Sequence, residues 1–323
     1  MTLANMQVYN EEIMLNSIEL TDQKLDGIAA SSGGAIAMES SSFMGDYSKQ
    51  SFWANLDAAQ RRVDRYAANG AVANTNLAQS ELVGVKVAGG FGPVAFEPGQ
   101  LTWLMKDPGT AITAISESFS NLFVKDMLNT AVGAGVAAVE NVAALVEDAG
   151  AAAITQNVIN KSHSLFGDSS AMLITDGMTG DVYHRLIDQG LDNANTLFRA
   201  GDVTIVSILN KIVLVSDIPA LYEAGSPNKD KVLSVCAGGI TASNGNDLIT
   251  NIDTPNGTER LETTWQADYT FGLKLKGYSW DTVNGGKSPL DAEIFTGSNW
   301  DKAVTYNKHT LGTLAIGSAD VAY

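Results

Sequence analysis

Ser80-Glu81-Leu82-Val83-Gly84-Val85-Lys86-Val87-Ala88-Gly89-Gly90-Phe91-Gly92-Pro93-Val94-Ala95-Phe96 is the stretch on which the reading of the fold turns. Leu82, Val83, Val85 and Val87 make one extended run, and Val94, Ala95 and Phe96 make another. Between them lie three glycines and a proline. Glycine supplies positive φ at no steric cost and proline fixes the exit, so the pattern predicts a β-hairpin with its turn at Ala88–Pro93. Its flanks, Asn69-Gly70 and Glu97-Pro98-Gly99, are loop-like. A lone two-stranded hairpin is marginal in water, so this one must lean on another part of the chain or on another chain.

Upstream, Trp53, Leu56, Val63 and Tyr66 recur at helical spacing and predict a helix over 52–68. Arg61, Arg62 and Arg65 share one face of it with Asp57 and Asp64 nearby. That cluster fits a solvated, salt-bridged face, or a contact with phosphate or with an acidic partner subunit. The first fifty residues scatter Val8, Ile13, Leu15, Ile18 and Leu20 among polar residues and two serine clusters. They read as an arm, which is either a mobile terminus or an extended segment docked on a neighbouring subunit.

Downstream, Ile112, Ile115, Phe119, Leu122 and Phe123 trace a helical stripe that begins behind Pro108. Gly133 and Gly135 each weaken a helix by about 1 kcal/mol, which predicts a break there before Val136, Val139, Ala143 and Val146 resume the stripe. The rest alternates. Strands are expected at 171–175, 204–208, 212–216, 232–235, 248–252, 260–265, 269–275 and 310–316. Helices are expected at 181–190, 288–295 and around Trp300, and Thr254-Pro255-Asn256-Gly257 reads as a turn. The class is α+β, without internal repeats.

Composition bounds the function. The chain has 323 residues, 45% hydrophobic and 17% charged, which is enough apolar material for a core. Lys plus Arg number 20 against 36 Asp plus Glu, a net charge of −16, which argues against a generic nucleic-acid binder. One cysteine, Cys236, excludes an internal disulfide framework and a multi-cysteine metal site, and its Val-Cys-Ala-Gly setting predicts a buried thiol. The start of the chain has no basic, apolar leader, and no uninterrupted apolar run is long enough to predict a membrane span.

Catalytic patterns are weak. Gly133-Ala134-Gly135-Val136-Ala137-Ala138 loosely matches a dinucleotide fingerprint, but helical sequence precedes it where a strand is required. Gly167-Asp168-Ser169 resembles the start of one esterase class, yet none of His163, His184 and His309 carries a partner motif. No spacing supports a metal site, a P-loop or paired carboxylates. The expectation is no catalytic residue, no metal and no cofactor.

The order of parts then resembles tailed-bacteriophage major capsid proteins of the Hong Kong 97 type. Met6-Gln7-Val8-Tyr9-Asn10 is similar to an arm start, and Ser80–Lys86 to the ascending strand of that family's extended loop. Asp126-Met127-Leu128-Asn129-Thr130-Ala131 is similar to its long helix. Ile212–Leu221, Gly277-Tyr278-Ser279-Trp280, Thr296–Lys302 and Lys308-His309-Thr310 resemble later strands and the C-terminal region. The resemblance spans nearly the whole chain, with Met172–Gly177 departing from the strand end usual in relatives.

It implies a Hong Kong 97-like fold in four parts. Residues 1–50 would be an N-terminal arm and 70–100 the extended β-hairpin loop. Residues 51–69, 101–155 and 279–323 would form a discontinuous peripheral domain with a spine helix at about 109–132, and 156–278 an axial domain. It implies a shell protein that associates with itself in hexamers and pentamers around double-stranded DNA that it does not bind specifically. A portal protein, with scaffold or decoration proteins where the particle uses them, would be the further partners. The protein would be made in the host cytoplasm and reside in the virion, without a membrane. The implied subunit-interface residues are Val8, Ile13, Val85, Val87, Phe91, Val94 and Phe96. An encapsulin-like compartment shell, another virion structural protein and a serine hydrolase using Ser169 are the alternatives.

Overall fold

The computed structural model describes residues 3–39, 45–53, 59–96, 108–188, 195–200, 203–208, 211–245, 247–253, 257, 259 and 262–321. The predicted loop Glu97-Pro98-Gly99, the serine cluster 40–42, Leu56, Asp57 and turn positions 254–256 lie outside the described residues. A single helix organises the rest. Helix α2 (Pro108–Glu140) runs 33 residues without interruption, about 50 Å at 1.5 Å per residue. The break predicted at Gly133–Gly135 is absent. Residues 130–139 are buried on all sides, so packing outweighs the two glycines' low propensity. The glycines allow close approach instead. A Cβ on Gly135 would lie 3.0 Å from Ile240 Cδ1 and 3.3 Å from Leu233 Cδ2, and one on Gly133 would run into the Phe295 ring. By length and composition residues 112–140 could cross a membrane, and 78% of that apolar window is buried inside the protein.

The N-terminal segment is not an extended arm. It forms helix α1 (Leu3–Ser31). Ile13, Ser17, Thr21, Leu25 and Ile28 are its buried positions, at helical spacing. Serine and threonine occupy the middle of that stripe, so hydrophobicity alone does not reveal it. The seam against α2 is polar. Ser116 Oγ donates to the Ile13 carbonyl at 3.3 Å, Thr21 Oγ1 to Ser120 Oγ at 3.2 Å, and Lys24 Nζ to Asn121 Oδ1 at 2.8 Å. Gly33 and Gly34, at φ 64° and 79°, end the helix.

The first sheet has six strands in the order β1-β11-β13-β3-β2, with β12 also on β13. They are β1 (Ile36–Glu39), β2 (Tyr47–Trp53), β3 (Gln79–Phe96), β11 (Ile240–Asn244), β12 (Ile249–Asp253) and β13 (Thr263–Leu275). The predicted hairpin at 82–96 is therefore one strand. Its second half pairs antiparallel with β13, from Val85↔Leu273 to Phe96↔Thr263. The glycines mark a bulge rather than a turn: Gly92, at φ 99°, would press a Cβ to 2.8 Å from the Trp265 carbonyl oxygen. The true hairpin joins β2 to the first half of β3, from Tyr47↔Val85 to Trp53↔Gln79. Of the helix predicted over 52–68, residues 54–58 lie outside the described residues, and 60–68 are not helical. Trp53 ends a strand, and 60–78 carry no helix or strand, because their apolar side chains have no core to pack on.

The second sheet has eight strands in the order β4-β16-β10-β5-β8-β7-β6, with β9 on β10. Its members are β4 (Val146–Asp148), β5 (Leu173–Met178), β6 (Asn195–Ala200), β7 (Val203–Ile208), β8 (Lys211–Val215), β9 (Tyr222–Glu223), β10 (Lys229–Cys236) and β16 (Gly312–Ser318). The predicted pair 204–208 and 212–216 is its β7–β8 pair, next to the edge strand β6. Alternation along β10 and β16 splits the core: Leu233, Leu314 and Ile316 join the cluster containing α2. Val232 and Ala315 join the cluster with Val158 of helix α3 (Gln156–Ser164) and Val182 of helix α4 (Gly180–Asp188). Arg185 of α4 is buried and clamps the sheet end, donating to Asp230 at 3.0 Å and to Asp181. The expected axial segment 156–278 is thus divided, since β11, β12 and β13 belong to the first sheet and β16 returns to the second.

A small pair, β14 (Tyr278–Trp280) with β15 (Trp300–Lys302), and helix α5 (Asp291–Ile294) complete the chain. Trp300, expected in a helix, begins a strand and meets Trp280 edge-on at 4.8 Å. Because α2 approaches the sheets through Gly135, Gly135→Leu is expected to lower the stability of the unassembled protein by about 1–3 kcal/mol, read from its urea midpoint. An unchanged midpoint would contradict that close approach.

Candidate assembly surface

The candidate catalytic groups are held in structural bonds. Ser169 Oγ donates to Asp168 Oδ1 at 3.1 Å, and this bond, with Lys308 beside it, holds the Asp168 carboxyl below its ordinary range. The hydroxyl is not bonded to an imidazole. His163 does bring a serine and a carboxylate together: its Nε2 lies 3.0 Å from Asp176 Oδ1 and 3.0 Å from Ser234 Oγ. Both partners share one ring nitrogen, whereas a proton relay needs the two nitrogens to face different groups. The cluster is buried and ties α3 to β5 and β10. Cys236 is buried, with Sγ 3.5 Å from the Thr310 carbonyl. The dinucleotide-like glycines lie inside α2. Among the described residues no cluster of His, Cys, Asp or Glu could hold a metal.

The sequence-predicted interface residues do not form one open face. Val8 lies in α1. Ile13, Val85 and Val87 are buried in the chain's own core. Phe91 is half-buried against Trp265 and Phe119, at ring distances of 5.6 Å and 5.9 Å. Val94 and Phe96 are half-buried on β3, opposite Trp265 and Thr263.

The open apolar surface lies upstream of them. Gln79–Val83 pair with β2 beyond the last rung shared with β13, so the hairpin continues as a two-stranded ribbon. Residues 59–79 at its end are all exposed. Tyr66 is 93% exposed, Val63 64% and Trp53 63%, with Val72 and Leu77 also open. Fully burying side chains of this size stabilises by about 1.5–3 kcal/mol each. Arg61, Arg62 and Arg65 are interleaved with them. Sequence reading singled out Trp53, Val63, Tyr66 and the three arginines but placed them on a helix, because their spacing mimics a buried stripe, and it did not single out Val72 and Leu77.

A second feature is a groove of about 460 Å3 between α2, the 219–223 turn and α5. Lys231, buried at its base, donates to Glu140 at 2.9 Å and pairs with Glu223 at 2.8 Å. Burial pushes its ammonium down, but the two carboxylates outweigh this and hold it above its ordinary value. Asp126 accepts from Tyr269 at 2.7 Å, and burial pushes its carboxyl up.

A long helix that packs against both sheets and a two-stranded ribbon with an exposed apolar end are the main features of the described residues. The family model described as Gp13-like, major capsid protein 13-like, matches residues 5–314. The chain belongs to this family of major capsid proteins. It is a subunit of the head shell of a tailed phage. Among solved structures, the fold is similar to that of Mycobacterium phage Cain, with TM-score 0.51 and 10% identity over 88% of this chain and 89% of that one. The Cyanophage Pam1 capsid asymmetric unit aligns with TM-score 0.49 and 11% identity over 86% of each chain. The capsid of Ralstonia phage GP4 aligns with TM-score 0.49 and 12% identity, over 90% of this chain and 88% of that one. No curated protein matches the sequence.

In this capsid protein Arg61, Arg62 and Arg65 are exposed and lie outside any helix or strand. Brief trypsin treatment of the unassembled protein is therefore expected to cut first after Arg61, Arg62 or Arg65, as mass spectrometry of the fragments would report. First cleavage elsewhere would contradict the placement of this segment.

Proposed function

We propose that copies of this chain build the shell by completing each other's apolar surface. The β2–β3 ribbon and the residues between 53 and 79 serve as the extended loop laid over a neighbour. The observation that carries this reading is the run of exposed apolar side chains at 59–77, a surface a monomer has no use for. The copies gather as hexamers and pentamers, and many weak contacts per subunit close the particle. Helix α2 acts as the spine of a peripheral part that includes the first sheet. The second sheet, with α3 and α4, acts as the axial part. Helix α1 takes the place of the arm.

Portal, scaffold and decoration proteins are the additional partners, and the protein is made in the host cytoplasm before it enters the virion. The net charge of −16 suits a wall that encloses DNA without gripping it. The role is structural rather than enzymatic, which the occupied hydrogen bonds of Ser169 and His163 support. Sedimentation and electron microscopy of the purified protein, alone and with scaffold or virion components, test the reading. Closed particles are expected. A strictly monomeric species under all these conditions would overturn it.

A further inference from the structure

We propose that residues 61–66 of one copy dock in the α2–α5 groove of a second copy. The inference rests on the shell reading above and names the surface on which that contact is made. The groove combines two chemistries. Gly133 and Val136 of α2 and the exposed ring of Phe295 make it apolar. The carboxylates of Asp126, Glu140, Glu223 and Asp291 face it against the single ammonium of Lys231, a formal balance of −3.

The segment 61–66 carries the complement: Arg61, Arg62 and Arg65 against Asp64, with Val63 among them and Tyr66 following. Its one carboxylate is turned onto its own backbone, accepting from the Tyr66 N–H at 2.9 Å. Two copies that each carry −16 repel in most orientations, so a locally basic tip against a locally acidic groove selects one of them. A guanidinium is suited to such carboxylates because its planar fork is weakly hydrated and stacks on aromatic rings. Residues 59–79 are exposed throughout, so their own chain's groove does not hold them.

Paired cysteines read the contact directly, because the native Cys236 is buried and does not compete. Arg62→Cys with Asp291→Cys, and Tyr66→Cys with Tyr222→Cys, are introduced as two double variants and treated with a short thiol-to-thiol linker. Covalently joined copies from assembled particles, and none from unassembled protein, are expected. Intact particles in which both pairs stay unlinked would overturn the docking and leave the shell reading standing. Wild-type protein that never assembles would instead overturn the shell reading.

Hydrogen–deuterium exchange of the wild-type protein needs no substitution, so it decides the matter if a variant fails to assemble. Assembly should protect 61–66 together with 219–223 and 291–295. Protection of 61–66 alone, the result that a nucleic-acid contact of the arginines would give, would overturn the proposal.

Discussion

The close approach of helix α2 to the sheets is the contact on which the remaining structure depends. At Gly135 the helix backbone comes so near that even a methyl group would touch Ile240 of the first sheet and Leu233 of the second. One helix therefore contributes to the core beneath both sheets, and small residues are the condition for it. Farther toward its start the same helix presents Phe119 and Phe123 to Trp265 and Tyr269, with ring distances down to 4.4 Å. The large rings hold the ribbon-bearing sheet, and the small residues hold the junction. An ordinary helix-propensity argument weighs the glycines as weak points. In the stretch 130–139, buried on all sides, they are what the packing requires.

The helix α1 seam is built differently. Serine and threonine hydroxyls and a lysine join it to α2 through hydrogen bonds, with Ile13, Leu25 and Ile28 supplying the apolar contacts. That composition explains why this element was not legible in the sequence. A stripe whose central members are Ser17 and Thr21 has the period of a helix but not its hydrophobicity. The strand pair β7–β8, strand β10 and helix α4 were legible, because β-branched runs and local amphipathicity announce themselves within a few residues. The pairing of 85–96 with 263–273 was not, since a contact so distant in sequence leaves no local mark. The glycines of β3 carried a turn signal that the bulge at Gly92 absorbed.

The exposed end of the ribbon shows the same division. Trp53, Val63, Tyr66 and the arginines stood out in sequence, but a spacing that suits a helix says nothing about whether a core lies beneath it. In the folded chain there is none, and the apolar side chains face solvent at the end of a two-stranded ribbon. Conversely, Val85 and Val87 read as candidates for another subunit, and their own sheet covers them. Overall class and capsid character were readable from the order of parts together with family-like stretches such as Ile212–Leu221, whereas which apolar residues stay exposed depended on tertiary pairing.

In the proposed shell the ribbon tip of each subunit is completed only by another copy. An electron cryomicroscopy map of the wild-type particle tests this most directly. It should show Val63 and Tyr66 of every copy covered by a neighbouring subunit. A closed shell in which residues 59–77 still face solvent would contradict the account.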